Sequence, residues 1–290
     1  MPIPNRRKTR EAPPLAAEPA DAGASVPRLL ASVGEGKLTT LSRGLSILEF
    51  VAKSERFVRL RDVAEHFGLD RSAALRFLRT LEADGYLTRH EAMKMYSVGP
   101  KLLSFPRLPT SVERIVAVAR PVLVELARAA GHISHLAVLA GNQAILVEVA
   151  PSDSPVCVKQ AVGDLEPLNS SAVGKALYAF LPDAERSRLG ARIAFVPHTP
   201  HTIMDLEALE AEVCEIRSSG VAFDRNEGND QVSCLGCPVL DAQGRPLASI
   251  GLSYVTAHLP CPVDGMVDDI ARTMAAARRI EAAVACAGAA

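Results

Sequence analysis

The chain has 290 residues, which is too long for one typical domain and suits two. A hydrophobic content of 48% and a mean hydropathy of +0.14 exclude a wholly disordered protein. Its apolar runs stop well short of the roughly 20 residues that a membrane span needs, and no secretory signal follows the first residues. Six scattered cysteines are typical of reduced thiols, so we expect a cytoplasmic protein without a membrane partner.

Charge is unevenly divided between the two halves of the chain. Residues 1–106 contain 17 Lys and Arg against 12 Asp and Glu, whereas residues 107–290 contain 15 against 21. A basic half beside an acidic half indicates a polyanion partner for the first and a different role for the second. Residues 1–38 are rich in Pro and Ala, and we expect them to form a disordered tail.

The first predicted helix follows this tail. Its apolar residues Leu41, Leu45, Leu48 and Val51 are spaced for one helical face, and Ser42 is available as the N-cap. This face predicts a helix that packs against the elements after it.

Two further helices are predicted on either side of a tight turn. The second ends at Gly68, which tolerates a positive φ, and Asp70 can cap the third, which ends at Gly85. The turn spans about three to four residues, the spacing of a helix-turn-helix. Their inward faces are predicted to consist of Leu60, Val63, Ala64 and Phe67 in the second helix and Ala74, Phe77, Leu78 and Leu81 in the third.

A β-hairpin, or wing, is predicted next, from residues 86–89 and 95–98 around a polar turn. A helix in the major groove offers its first turns to base edges, while neighbouring hydroxyl and basic groups hold phosphates. An arginine face can also be a merely solvated one, but its place in this order of elements favours DNA binding. The predicted DNA-binding residues are Arg43, Arg71, Ser72, Ala73, Arg76, Arg79, Arg89 and Lys94.

The second half begins after a predicted hinge at 104–109, which contains two prolines. A helix over 111–131 is expected to break or kink at Pro121, and a hairpin over 132–150 turns at Gly141 and Asn142. Helices at both ends of an antiparallel sheet make an α+β fold. The remaining expectations are strands at 155–162, 221–224, 231–241 and 246–255, and helices at 170–182, 205–220 and 263–287.

Three local features of this half are candidates for chemistry. Cys234 and Cys237 have the spacing of a redox pair or half a zinc site, but residues i and i+3 of a strand point to opposite faces, which favours buried core thiols. Lys175 follows a glycine without the rest of a phosphate loop. His132 and His135 lack nearby acidic partners, so they are interpreted as buried or edge histidines. No nucleophile elbow or carboxylate pair is present, and we expect neither an enzyme nor a cofactor.

Taken together, these segments resemble the IclR family of transcriptional regulators from about residue 41 to residue 287. Its most specific parts are "SRGLSILEF", "GLDRSAALRFLRTLEADGYL", "PLNSSAVGKALYAFLP" and "GVAFDRNEGNDQVSCLGCPVLDAQGRPLASIGLS". The resemblance implies an α+β protein with an N-terminal winged helix-turn-helix, a linker helix and a C-terminal GAF-like α/β sensor domain. The implied limits are a tail at 1–38, a DNA-binding domain at 39–104, a linker at 105–120 and an effector-binding and oligomerisation domain at 121–290.

The resemblance also implies partners and a second site. Such regulators bind near-palindromic double-stranded DNA operators as homodimers or homotetramers and respond to a small-molecule metabolite effector. The residues that would line its pocket are Ala172, Val173, Asp224, Val232, Cys234, Gly251 and Ser253. A thiol- or metal-responsive regulator using Cys234 and Cys237, or an enzyme domain fused to a winged helix, stay open as alternatives.

This chain departs from the usual family pattern at four positions near that pocket. Asn169 stands where the family often has His, Gln231 where it usually has Gly, Cys237 where Ala is common, and Gly251 where Ser is frequent. The missing hydroxyl at residue 251 weakens any argument for a carboxylate ligand, so the sequence leaves the effector unnamed.

Overall fold

The computed structural model describes residues 39–54, 57–105 and 110–288. The predicted tail at 1–38 and most of the predicted hinge, residues 106–109, lie outside the described residues. Within the described ranges no helix combines the length and apolar character needed to cross a membrane.

The N-terminal part contains three helices and a small sheet. The elements follow one another as α1 (Thr39–Lys53), β1 (Val58–Arg59), α2 (Leu60–Phe67), α3 (Arg71–Ala83), β2 (Leu87–His90) and β3 (Met95–Val98). The sheet is antiparallel in the order β1-β3-β2. Gly68, at φ 60°, ends α2 and forms the predicted tight turn before α3. Strands β2 and β3 pair antiparallel, which is the predicted wing. Buried side chains that hold these elements together include Ile47, Val51, Val63, Ala74, Leu78 and Tyr96.

The predicted face of α1 is partly wrong. Leu41 and Leu45 are 60% and 51% exposed, because the packed stripe passes through Ile47 and Val51 and leaves both leucines to one side. Ser42 is the fourth residue of the helix and therefore not its cap. The two-residue strand β1, which pairs with β3, was not predicted because it is too short to show an alternating pattern.

The C-terminal part is an antiparallel sheet between two layers of helices. Its strands lie in the order β6-β5-β4-β9-β8-β7. One face packs against α4 and α8, and the other against α5 and α7. The elements are α4 (Thr110–Ala130), β4 (Ile133–Ala140), β5 (Gln143–Ala150), β6 (Leu165–Pro167), α5 (Ala172–Ala179), α6 (Asp183–Gly190), α7 (Leu206–Ser219), β7 (Ala222–Arg225), β8 (Val232–Leu240), β9 (Pro246–Val255) and α8 (Val267–Gly288).

Several boundaries in this part differ from expectation. Residues 155–162 do not form a strand; the loop bonds locally, with the Ala161 N–H donating to Asp164 Oδ2 at 2.7 Å, and the short strand β6 takes the sheet edge beside β5. Helix α5 ends at Ala179, and the unpredicted α6 begins after Pro182. The last helix begins at Val267, after a short 3-10 turn over Val263–Gly265.

Helix α4 runs through Pro121 without the break that was one of the two predicted outcomes. Ile115, Val116 and Ala119, which precede the proline, are already buried in the core between the sheet and α8. The proposed boundary at residue 121 therefore falls within one packed helix, and the domain limits remain a prediction.

Candidate functional site

The start of α3 is fixed by its cap. Asp70 Oδ1 accepts hydrogen bonds from the Ala73 N–H at 2.9 Å and from the Ser72 hydroxyl at 2.6 Å. The bond from Ser72, followed by that from Ala73, holds the pKa of the Asp70 carboxyl below its ordinary value. The Ser72 hydroxyl and the Ala73 N–H, both in the first turn of α3, are therefore already hydrogen-bonded within the protein when no DNA is bound.

The predicted DNA-binding arginines lie on the outer side of α3. Arg71, Arg76 and Arg79 are exposed, whereas Ala74 and Leu78 on the opposite side are fully buried. Such a face is accessible to a DNA groove, while Ala73 beside it is half-buried.

The remaining predicted DNA contacts lie on other elements. Arg43 is exposed on α1, and Lys94 is exposed in the wing turn at φ 53°. Arg89 lies within β2 and pairs with Glu91 across 3.0 Å. Arg89 must therefore exchange a carboxylate for a phosphate if it is to contact DNA.

A second group of candidate residues forms a polar row across the C-terminal sheet. Cys234 on β8 is the register partner of Asp224 on β7 and of Ser253 on β9. Register partners in an antiparallel sheet present their side chains on the same face. All three are buried, and Cys234 Sγ lies 3.2 Å from Ser253 Oγ. Val232 lies two residues before Cys234, so its side chain is on the same face, at the half-buried end of β8.

Two glycines let the start of α5 rest directly on this sheet. Gly236 and Gly251 are register partners, each two residues along its strand from Cys234 or Ser253 and therefore on the same face. A Cβ on Gly236 would lie 2.8 Å from the Ala172 backbone, and one on Gly251 would lie 2.9 Å from Val173 Cγ1. The first N–H groups of a helix have no partner within it and carry a positive partial charge. Ala172 and Val173 therefore bring hydrogen-bond donors next to the polar row.

A chain of hydrogen bonds continues from this row to the sheet edge. The Ser253 hydroxyl donates to Gln160 Oε1 at 3.0 Å, and Gln160 Nε2 donates to Glu166 Oε1 at 3.5 Å. Burial raises the pKa of Glu166 to about 7. Neither residue was predicted: Gln160 lies in the segment 155–162, which was expected to be a strand and is a loop, and Glu166 lies in the short strand β6, which carries no recognisable motif.

Asp224 is buried with its acid group only partly compensated. Its Oδ1 accepts the N–H of Glu227 at 2.6 Å and that of Gly228 at 3.4 Å, yet burial raises its pKa to about 7. The next acid along, Glu227, binds the fully buried Lys175 Nζ through both oxygens at 2.7 Å. Lys175 also donates to Glu212 at 3.1 Å, so it holds the loop after β7 against α5 and α7.

Two buried polar atoms near α5 have no hydrogen-bond partner in the part of the chain that is described. They are His135 Nδ1 and Ser170 Oγ. His135 is 2% exposed, and burial lowers its pKa to about 4, so the ring is neutral at pH 7. His135 was predicted to be a buried or edge histidine and is buried; neither its spacing nor its neighbours along the chain indicate what it faces.

The two cysteines lie on opposite faces of β8, as the sequence predicted for core thiols. Cys234 faces the polar row, whereas Cys237 packs in the core on the α4 and α8 side. Burial raises the pKa of both thiols, that of Cys237 to about 12, which disfavours the thiolate form of each. The described residues contain no group of three or more His, Cys, Asp or Glu side chains placed to hold a metal ion.

Two protein-family models match this chain. The model described as "Bacterial transcriptional regulator IclR C-terminal" matches residues 109–280, and that of the "IclR helix-turn-helix domain" matches residues 40–91. The chain belongs to the IclR family. The resemblance inferred from the motifs is thereby confirmed, together with the fold class of an N-terminal helix-turn-helix domain and a C-terminal α/β domain.

Individual IclR relatives agree with this assignment. The DNA-binding transcriptional repressor YiaJ of Escherichia coli is 31% identical and covers 76% of this chain and 79% of its own. The crystal structure of the Thermotoga maritima IclR, 26% identical, covers 84% and 98% with a TM-score of 0.58. An IclR homologue from Microbacterium hydrocarbonoxydans, complexed with 4-hydroxybenzoate, is 19% identical, covers 85% and 99%, and has a TM-score of 0.65. The chain is thus a DNA-binding transcriptional regulator, and these relatives give no support to the fused-enzyme alternative.

Proposed function

We propose that this regulator binds a near-palindromic operator as a homodimer or homotetramer, and that a small-molecule effector bound between α5 and strands β7 to β9 changes its operator affinity. The main support for this effector site is the buried polar row of Asp224, Cys234 and Ser253 beneath the start of α5. Burial of acid, thiol and hydroxyl groups together costs free energy unless hydrogen-bond partners compensate them, and a bound ligand would be such a partner.

The proposed DNA interface divides into two kinds of contact. Arg71 and Arg76 are assigned to base edges in the major groove, where arginine bonds guanine through two donors. Arg43, Arg79, Arg89 and Lys94 are assigned to phosphates, with Ser72 and Ala73 close to the backbone at the helix start. One recognition helix reads only a few base pairs, and a two-fold partner doubles the contacts at a second half-site.

The proposed effector is a small polar molecule. Ala172 and Val173 supply backbone donors, Ser253 a hydroxyl, Asp224 a carboxyl, and Val232, Cys234 and Gly251 the less polar surroundings, which is the mixture typical of small-molecule sites. The Microbacterium relative, whose structure contains 4-hydroxybenzoate, supports an organic molecule as the ligand class.

Linkage sets the size of the effect that an effector can have. A ligand changes operator affinity only if it binds one arrangement of the protein better than another. Coupling of about 1 to 3 kcal/mol would change operator affinity roughly 5- to 150-fold, and the operator would change effector affinity by the same factor.

Selection of bound DNA from a random pool tests the first part of the proposal. We expect the full-length protein to enrich a near-palindrome whose half-sites lie about one helical turn, or a multiple of it, apart. Enrichment of a single half-site by a monomer would contradict the proposed oligomer. Lack of any enriched sequence would contradict specific operator binding.

Calorimetry with the selected operator tests the second part. A metabolite that binds the free protein is titrated again in the presence of the operator. We expect its dissociation constant to change at least fivefold. An unchanged constant would show that the metabolite is bound without acting as an effector.

A further inference from the structure

Arg225 extends around the edge of the C-terminal sheet. It lies two residues after Phe223 on the edge strand β7, so both side chains start from the sheet face that packs against α4 and α8. The guanidinium carbon is 5.0 Å from the centre of the Phe223 ring. Arg225 Nη1 nevertheless donates to Glu212 Oε1 at 3.2 Å, and Glu212 belongs to α7 in the opposite layer. This one side chain therefore links the two helical layers.

On the α5 side, the ion pairs continue into the buried interior. Glu212 Oε1 also accepts from Lys175 Nζ at 3.1 Å, and Lys175 is fully buried on α5. Lys175 binds both oxygens of Glu227 at 2.7 Å, and one of these accepts the Arg225 N–H at 3.4 Å. A buried ammonium is costly without partners, so these carboxylates stay with it. A displacement of α5 would therefore displace the carboxylate to which Arg225 is bound.

On the other side, Arg225 binds the turn that precedes α8. Its Nε lies 3.5 Å from Asp264 Oδ2, and the 3-10 turn that contains Asp264 is anchored in the core by the buried Val263. The two charged side chains are 41% and 49% exposed, and an isolated pair of this kind contributes little to stability. Here the pair is joined through Glu212 to a buried ammonium. Its expected role is thus to position the start of α8.

Helix α8 in turn packs on α4, the first helix after the DNA-binding half. The two helices share a core that includes Ile115, Ala277 and Ile280, and Arg279 Nη1 lies 2.7 Å from Glu125 Oε2. Close-packed interiors transmit displacement from one element to the next. Contacts thus run from α5, around β7, to α8 and α4.

We propose that Arg225 is a positioning residue, which couples α5 to the start of α8 around the sheet edge and so relays the state of the α5 layer to the DNA-binding half. The relay rests on the proposed effector function, because α5 borders the proposed effector site. Coupling is reciprocal, so a change at either end of the series Lys175, Glu212, Arg225 and Asp264 alters the other end.

Amide hydrogen exchange of the full-length protein, without operator or effector, tests the coupling. Glu212→Gln nearly keeps the shape of the side chain and removes the charge that joins Lys175 to Arg225. The matched control is Glu210→Gln on the same helix, because Glu210 binds Arg186 of α6 at 3.1 Å. Thermal unfolding verifies that each variant is folded.

We expect the amides of residues 264–270 to exchange at least threefold faster in Glu212→Gln and to be unchanged in Glu210→Gln. In the reciprocal direction, Asp264→Asn should accelerate exchange in α7 at least twofold. Because Glu212 and Asp264 bind the same guanidinium, the double variant should show less than the product of the two single effects. Unchanged exchange at 264–270 in Glu212→Gln, or an equal acceleration in Glu210→Gln, would overturn the coupling.

Operator affinity tests the relay itself. By fluorescence anisotropy with the selected operator and no effector, we expect Arg225→Met to change the dissociation constant at least threefold. Arg225→Lys, which keeps a cation, should stay within twofold, and Glu210→Gln should match wild type. An unchanged constant for Arg225→Met would overturn the relay.

These negative results leave operator selection and the response to a metabolite untouched. The exchange experiment needs neither operator nor effector, so it decides the coupling even if selection enriches no operator and the proposed function fails. The two proposals can therefore be judged separately.

Discussion

The charged side chains of α3 and those in and beneath α5 differ in what surrounds them. Arg76 and Arg79 stand exposed on a helix surface, whereas Lys175 and Asp224 are buried among fixed partners. Exposed charges contribute little to folding and remain available to a polyanion. Buried charges are expensive unless paired, so their removal affects folding first. The charges that are exposed for DNA binding and the buried charges that affect folding therefore belong to different parts of this protein.

The largest effect is expected at Lys175. Lys175→Met leaves the Glu227 and Glu212 carboxylates without their shared ammonium, and loss of one partner from a buried ion pair costs about 3 to 5 kcal/mol. Amide hydrogen exchange in α5 measures the free energy of opening. The matched control is Lys159→Met at an exposed position, where we expect a change below about 0.5 kcal/mol. A loss below 1 kcal/mol at Lys175 would remove the contrast between the two regions.

Asp224 should make stability depend on pH. Its pKa in the folded protein is raised from 3.8 to about 7 by burial, so the stability it contributes is fully present below about pH 4 and is lost as the pH rises through 7. The buried His135 acts in the opposite sense: its pKa is lowered from 6.5 to about 4, so its contribution is lost as the pH falls through that range.

Asp224→Asn isolates the first contribution. From pH 4 to pH 8 we expect the free energy of unfolding of the variant, relative to wild type, to rise by about 2 to 4 kcal/mol. Urea unfolding at several pH values measures it, with Asp230→Asn, an exposed carboxyl, as the control. Parallel pH profiles for wild type and Asp224→Asn would show that the pKa of Asp224 is the same in the folded and unfolded states.

Arg76 should affect DNA binding and leave folding unchanged. Arg76→Ala is expected to weaken operator binding by about 1 to 3 kcal/mol and to relax specificity at the base it contacts. Lys94→Ala should lower affinity for operator and random DNA alike and reduce the salt slope by about one. Fluorescence anisotropy with both DNAs distinguishes them. Equal losses on the two DNAs for Arg76→Ala would reassign this arginine to a phosphate.

The smallest effect is expected at the cap of α3. Asp70→Ala removes the acceptor of the Ala73 N–H and should destabilise the helix start by about 1 kcal/mol, whereas Asp70→Asn keeps an acceptor and should cost less. Hydrogen exchange of the first α3 amides reports the difference. If the Ala and Asn variants exchange equally fast, the cap does not hold this turn.

The sequence predicted the DNA-binding half well, because its signals are local. Gly68 and Asp70 mark one helix end and the next helix start, and the apolar spacing in α2 and α3 specifies which side packs inward. The exception is α1, where Leu41 and Leu45 continue the apolar pattern onto a surface that its own domain leaves exposed. Spacing gives the width of an apolar stripe, and tertiary contacts decide how much of it is buried.

The effector region could be predicted only in part, because its signals are not local. Asp224, Cys234 and Ser253 come from three strands and become neighbours through strand register, which a single sequence does not specify. Gln160 lies in a loop that looked like a strand, and His135 becomes informative only beside a glycine more than 100 residues away. The resemblance to the IclR family supplied Asp224, Cys234 and Ser253, whereas the positions of Gln160 and His135 relative to them required the structure.

The paired glycines under α5 have a consequence for the engineering of this protein as a biosensor. With no side chain at Gly236, the backbone of α5 lies against the strand, so a residue added there would displace the helix itself. A side chain at Gly251 would instead meet the His135 ring, the Leu235 carbonyl and the Val173 side chain. Gln160 bonds Ser253 of the polar row through its side chain, and Glu166 bonds Gln160 in the same way, so we expect their replacement to change the chemistry of the row without moving the backbone. A variant library confined to such side chains would explore new inducers on a fixed scaffold, whereas one that includes the glycines would mostly sample damaged folds.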